Sequence, residues 1–78
     1  MDDEKEIKKH YKGCNIKITT WYVRTYDKWR AHIYIHYPSQ PNSEQIHDRH
    51  IEKLFNTRKD AELFCLSYYK TKIDSQFG

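Results

Sequence analysis

Five histidines and two cysteines are the residues of this 78-residue chain with the widest chemical reach. His32 and His36 are four apart in a strand-like run. They share a face there but sit about 13 Å apart at about 3.3 Å per residue, too far to chelate one ion alone. His47 and His50, three apart, alternate faces in a regular strand. His32 and His50 could meet across strands as two metal ligands, but the pattern supplies no third, and solvated sheet histidines are the plainer reading. Nucleophilic chemistry needs an exposed, activated thiolate. Cys65 falls on an apolar helix stripe and Cys14 stands beside Gly13 at a strand start, so both read as buried free thiols. Two cysteines are too few for a secreted disulfide framework and lack metal-motif spacing. The chain has no glycine-rich phosphate loop and no serine elbow, and its carboxylates are scattered. The expectation is a non-enzymatic protein with no catalytic residues, no metal and no cofactor.

What does converge is basic and aromatic. In the run Trp29 to Tyr37, Trp29, Ala31, Ile33, Ile35 and Tyr37 fall on one face by strict alternation, and Arg30, His32, Tyr34 and His36 on the other. Alternation this clean implies one covered and one open face. On the open face, with Lys17 and His50 as neighbours, cationic donors suited to phosphates mix with planar rings suited to unpaired bases. A solvated polar face built from tyrosine, a good strand former, is the competing reading.

The elements that position these residues follow from the pattern. Thr57 with Asp60 makes a box-like helix start, the hydroxyl accepting from a first-turn N–H and the carboxylate meeting the positive end of the dipole. Ala61, Phe64, Cys65, Tyr68 and Lys72 then recur at steps of three and four, with Tyr69 and Ile73 along one edge, predicting a helix over 57–73. Leu63 and Leu66 lie away from that stripe, beside Lys59 and Lys70, and could pack against a second copy.

Upstream, residues 15–25 are β-branched and aromatic throughout. Ile16 and Ile18 share one face while Trp21 and Val23 take the other, so either a bulge near Thr19-Thr20 flips the register or both faces are partly covered. Tyr11-Lys12-Gly13 reads as the opening turn, and Tyr26-Asp27-Lys28 as the connection between strands. Residues 38–44 form a turn-rich loop, and 46–55 a third strand with weaker alternation and Ile51 and Phe55 inward. The predicted fold is α+β: a three-stranded antiparallel β-meander packed on one C-terminal α-helix, a two-layer βββα unit over residues 11–74. Residues 1–10 read as a flexible charged segment and 75–78 as a tail.

Composition bounds the rest. At this length one core is only marginally sufficient. Seven Tyr, three Phe and two Trp must therefore supply much of the burial. The formal net charge of +3 is uneven, since residues 1–6 carry −3 and the remainder +6. A mildly basic body is compatible with a polyanionic partner. No apolar run is long enough for a signal peptide or a membrane span, and the default location is the cytoplasm of a bacterium or of the host of a phage or plasmid.

Three resemblances add to this. Tyr11-Lys12-Gly13, Trp29-Arg30-Ala31, the stretch from Phe55 through Thr57 and Ala61 to Glu62, and the closing Ile73-Asp74 are together similar to a group of small uncharacterised bacterial βββα domains. That group shares an aromatic-Gly opening, a Trp-x-Ala strand and a Phe-x-Thr-x-x-x-Ala helix start; the match covers residues 11–74 and implies a fold but no activity. The same skeleton resembles the three-strand-plus-helix DNA-binding domains of plant ethylene-response factors and phage integrase arms, whose sheet enters the major groove. That resemblance implies DNA contacts at Arg24, Lys28, Trp29 and Arg30, although Ile16, Ile18 and Thr20 stand where those families carry arginines. Thr57-Arg58-Lys59-Asp60-Ala61 also resembles the basic helix start of double-stranded RNA-binding domains. The reading is a small module that binds DNA or RNA through the open sheet face, using Lys17, Arg24, Lys28, Arg30, His32, Tyr34 and His36. The alternative is a protein-interaction module, a homodimer or a small inhibitor or adaptor of another protein, using Leu63 and Leu66.

Overall fold

The computed structural model describes residues 4–37 and 45–77. The turn-rich loop predicted at 38–44 lies outside the described residues. Four strands, β1 (Lys5–Tyr11), β2 (Cys14–Val23), β3 (Lys28–Tyr37) and β4 (Gln45–Phe55), precede one helix, α1 (Arg58–Phe77). The strands form one antiparallel sheet in the order β1-β2-β3-β4. The fold is thus α+β with a C-terminal helix, as expected, but with four strands rather than three. The additional one is β1, built from the segment read as a flexible leader. Its composition hides it, because Ile7 and Tyr11 are its only apolar side chains and Lys5, Lys8 and Lys9 give no period-two signal. Backbone pairing with β2 along seven residues orders it. Charged side chains also suit an edge strand, because they discourage pairing with further chains.

The opening turn is a two-residue hairpin in which Tyr11 pairs with Cys14 across Lys12 (φ 49°) and Gly13 (φ 81°). Left-handed backbone at both central positions is the geometry that matches strand twist. A Cβ at Gly13 would touch nothing within 4 Å, so the requirement there is φ alone. The β2–β3 connection occupies Arg24 to Asp27, with Tyr26 N donating to Val23 O and Asp27 N to Arg24 O, each at 3.2 Å. Asp27 takes the left-handed conformation (φ 53°) that ends such loops.

No bulge interrupts β2: its register with both neighbours is continuous. Cys14, Ile16, Ile18 and Thr20 face the helix and are buried, and Trp21 and Val23 lie half-buried on the opposite face. The irregularity falls instead between β3 and β4. There Trp29 pairs with Phe55 and Ala31 with Ile51, so residues 52–54 bulge opposite Arg30. The bulge lets Ile51 and Phe55 both point inward despite weak alternation.

Helix α1 begins as predicted, with Asp60 N donating to Thr57 Oγ1 at 3.0 Å and Ala61 N to Thr57 O at 3.2 Å. It continues through Phe77, beyond the expected end at residue 73. Its seam on the sheet is Ala61, Cys65, Tyr69 and Ile73, all buried. Phe64 and Tyr68, placed at the centre of the predicted stripe, are half-buried flanks, and Lys72 is exposed. A row at steps of four slants across the helix surface, the ridge that follows a twisted sheet more closely than a three-four stripe. Beneath it Ile18, Ile33 and Ile35 are fully covered.

Both ends of the helix are tied to the sheet. Arg58 lies 4.5 Å from the Trp29 ring centroid and its Nε donates to Thr20 Oγ1 at 3.3 Å. At the other end Lys12 Nζ is 2.7 Å from Asp74 Oδ1, and Tyr11 Oη donates to the same carboxylate at 3.0 Å. These bonds, the lysine's first, hold the Asp74 carboxyl below its ordinary range and raise Lys12 and Tyr11 above theirs. Along the flank toward β4, Phe64 packs on Phe55 with centroids 5.3 Å apart, and Tyr68 meets His47 Nε2 at 2.9 Å. Among the described residues no helix is long and apolar enough to cross a membrane.

Candidate nucleic-acid interface

The helix covers one sheet face only, and the register of the four strands sets out the other in rows. Lys8, Lys17, Tyr34 and Asp48 lie side by side; so do His10, Asn15, His36 and Ile46; so do Glu6, Thr19, His32 and His50. Trp21 stands beside Arg30 one step further along. Neighbouring side chains within a row are about 4.5–5.5 Å apart at Cβ, close enough to act together.

Each part of this face has its own electrostatics. Arg30 Nη1 lies 2.7 Å from His50 Nε2. A guanidinium only donates, so His50 Nε2 is the acceptor in this contact. The His50 ring leans on Trp21 at 5.7 Å between centroids and stands 6.1 Å from His32. His32 Nε2 donates to Asp48 Oδ1 in a close hydrogen-bond contact. Arg30 is therefore engaged by one imidazole and Asp48 by another.

Lys8 and Lys17 differ: directly opposite each other, neither has a carboxylate partner among the described residues. Like charges facing across strands are destabilising. Lys17 Nζ sits 5.4 Å from the Tyr34 ring centroid. Between these groups lies a depression of about 270 Å³, walled by Lys8, His10, Asn15, Lys17 and Tyr34, with the Lys9–Ile16 backbone pair as its floor.

The structure thus gathers six of the residues singled out in the sequence, Lys17, Lys28, Arg30, His32, Tyr34 and His36, on one face. It leaves Arg24 in the β2–β3 turn, and Lys28 stands at the start of β3, two residues before Arg30, where its Nζ donates to Asn56 Oδ1 at 2.6 Å. Lys28 is about 20 Å from Tyr34 along the strand at about 3.3 Å per residue. Lys8 and His10 were missed because the segment carrying them has no strand-like pattern; their alternation with Ile7, Lys9 and Tyr11 is the faint signal that places them. His47 lies on the helix side, where burial, then Lys72 and Arg49, hold its pKa below the usual imidazole value. No group of three or more His, Cys, Asp or Glu is placed to hold a metal among the described residues.

Both cysteines are free and buried. Burial pushes the Cys65 thiol up to about 11, with Glu62 adding to it, and raises Cys14 as well. On the outer helix face Leu63 is 52% exposed, but Leu66 packs against the core. The chain matches no family model, no curated protein and no solved structure.

Proposed function

We propose that this chain is a non-enzymatic nucleic-acid-binding module whose working surface is the sheet face left open by the helix. The observation that carries this reading is the composition of that face: Lys8, Lys17 and Arg30 set among the rings of Trp21, Tyr34, His32, His36 and His50. Ammonium and guanidinium groups neutralise phosphates and release counterions, and rings on a sheet accept unpaired bases. Lys28 lies on the same face at the Arg30 end, about 20 Å along the strand from Tyr34, where a longer ligand would reach it, and Arg24 lies in the turn beyond. The competing reading, a protein-interaction surface on the outer helix face, is weakened by the packing of Leu66, which leaves Leu63 as the exposed leucine of the pair.

The test is a salt titration of binding to labelled DNA and RNA oligonucleotides of mixed sequence. Affinity should be highest at about 20 mM salt and fall linearly on a log–log plot, with a slope of about −0.7 per neutralised phosphate on single strands. No binding at about 20 mM salt, where counterion release is strongest, would eliminate this reading.

A further inference from the structure

The face is not uniform, and its asymmetry points to one form of nucleic acid. Of its strong cations, Arg30 is committed to His50 and Lys28 to Asn56, whereas Lys8 and Lys17 face each other with no carboxylate partner among the described residues, beside a depression with an aromatic wall. We propose that this depression is a nucleotide subsite for single-stranded nucleic acid, with one phosphate bridging the Lys8 and Lys17 ammoniums and the attached unpaired base stacked on the Tyr34 ring. The inference rests on the nucleic-acid reading above and specifies which form is bound and where.

Three features carry it. Opposed lysines that destabilise the empty sheet are relieved by a bound anion, and at Cβ separations of about 4.5–5.5 Å both reach one phosphate. The Lys17 ammonium already lies 5.4 Å from the Tyr34 centroid, so phosphate and ring contacts fall within the span of one nucleotide. An arriving nucleotide draws Lys17 off the ring onto its phosphate and leaves the ring face to the base. Finally, a depression of about 270 Å³ is below the range of about 300–1,000 Å³ of sites enclosing drug-sized ligands. It suits a single nucleotide rather than the width of a duplex, in which the bases are paired, stacked and turned away from such a ring. From this subsite the face continues past His32 to Trp21, a second ring for a further base.

Fluorescence anisotropy with one labelled 12-nucleotide single strand and its duplex, at about 20 mM and about 150 mM salt, tests the assignment. The single strand should bind more tightly than the duplex. Lys8→Ala with Lys17→Ala should reduce the magnitude of the single-strand salt slope by about 0.7, the worth of the one phosphate they bridge. Tyr34→Ala should weaken binding by about 5- to 150-fold, the range for one stacked base, whereas Tyr34→Phe should retain it. Lys59→Ala with Lys70→Ala, on the outer helix face, should leave affinity for the single strand close to wild type. All these positions lie outside the buried core, and melting temperatures no lower than that of the wild type certify the folds. Duplex binding as tight as single-strand binding, or an unchanged slope in the double lysine variant, would overturn this inference while the broader reading stands. Failure of the wild-type protein to bind either form would remove both.

Discussion

Truncating Ile73 and Phe64 separately distinguishes the two seams by which α1 could lie on the sheet. Spacing at three and four puts Phe64 at the centre; the structure puts Ala61, Cys65, Tyr69 and Ile73 there and leaves Phe64 half-buried against Phe55 and Tyr68. Ile73 is 0% exposed, so Ile73→Ala removes a fully buried branched side chain and should cost about 2–5 kcal/mol. Full burial would make Phe64→Ala cost about 3–5 kcal/mol. With one side of its ring open to solvent beneath Lys53, about half of that is expected, about 1.5–2.5 kcal/mol. A chain of this length should have about 4–12 kcal/mol in total, so both variants fold measurably in water. Urea unfolding followed by tryptophan fluorescence and far-ultraviolet circular dichroism gives both differences, since Trp21 and Trp29 sit on opposite faces of the sheet. A loss in Phe64→Ala equal to or larger than that in Ile73→Ala would refute the seam and return it to the 64/68 row.

Cys65 should label slowly with a thiol reagent in the native protein and rapidly in denaturant, because it is buried and its thiol is pushed up to about 11; fast native labelling would mean an open core. His47, whose pKa is lowered in the folded state, contributes stability that is complete above the unfolded value of about 6.5 and is lost as pH falls through the folded value. Thermal melts from pH 7.5 to 5 should therefore decline less steeply in His47→Gln than in the wild type, and parallel curves would dismiss the effect. Asp74, likewise lowered, contributes stability above about pH 3.9 that disappears as pH falls through its folded value. Asp74→Asn should lower the melting temperature at pH 7 and match the wild type near pH 2; an equal difference at both would place the contribution elsewhere.

Local chemistry made much of this molecule legible in its sequence. The β3 alternation from Trp29 to Tyr37 assigns both faces correctly because side-chain direction in a strand depends only on parity. Thr57 caps the helix because the bond to Asp60 N is made within one turn. The hairpin at Lys12-Gly13 follows from the freedom of glycine at positive φ. These features require no distant partner. Whether Lys5–Tyr11 is a strand does require one: its own residues have little burial to gain, and its order comes from hydrogen bonds to β2 and from the Tyr11–Lys12–Asp74 contacts at the end of the helix. The same dependence conceals Lys8 and His10, since a residue cannot be assigned to a face before its strand exists. The seam of α1 is also a tertiary decision, because periodicities of three and four fit the same residues and only the twist of the sheet beneath selects the 61/65/69/73 row. Pattern on one strand can thus show that Arg30, His32, Tyr34 and His36 look outward together. Only strand register, which depends on backbone pairing between distant segments, can set Lys8 beside Lys17 and Tyr34.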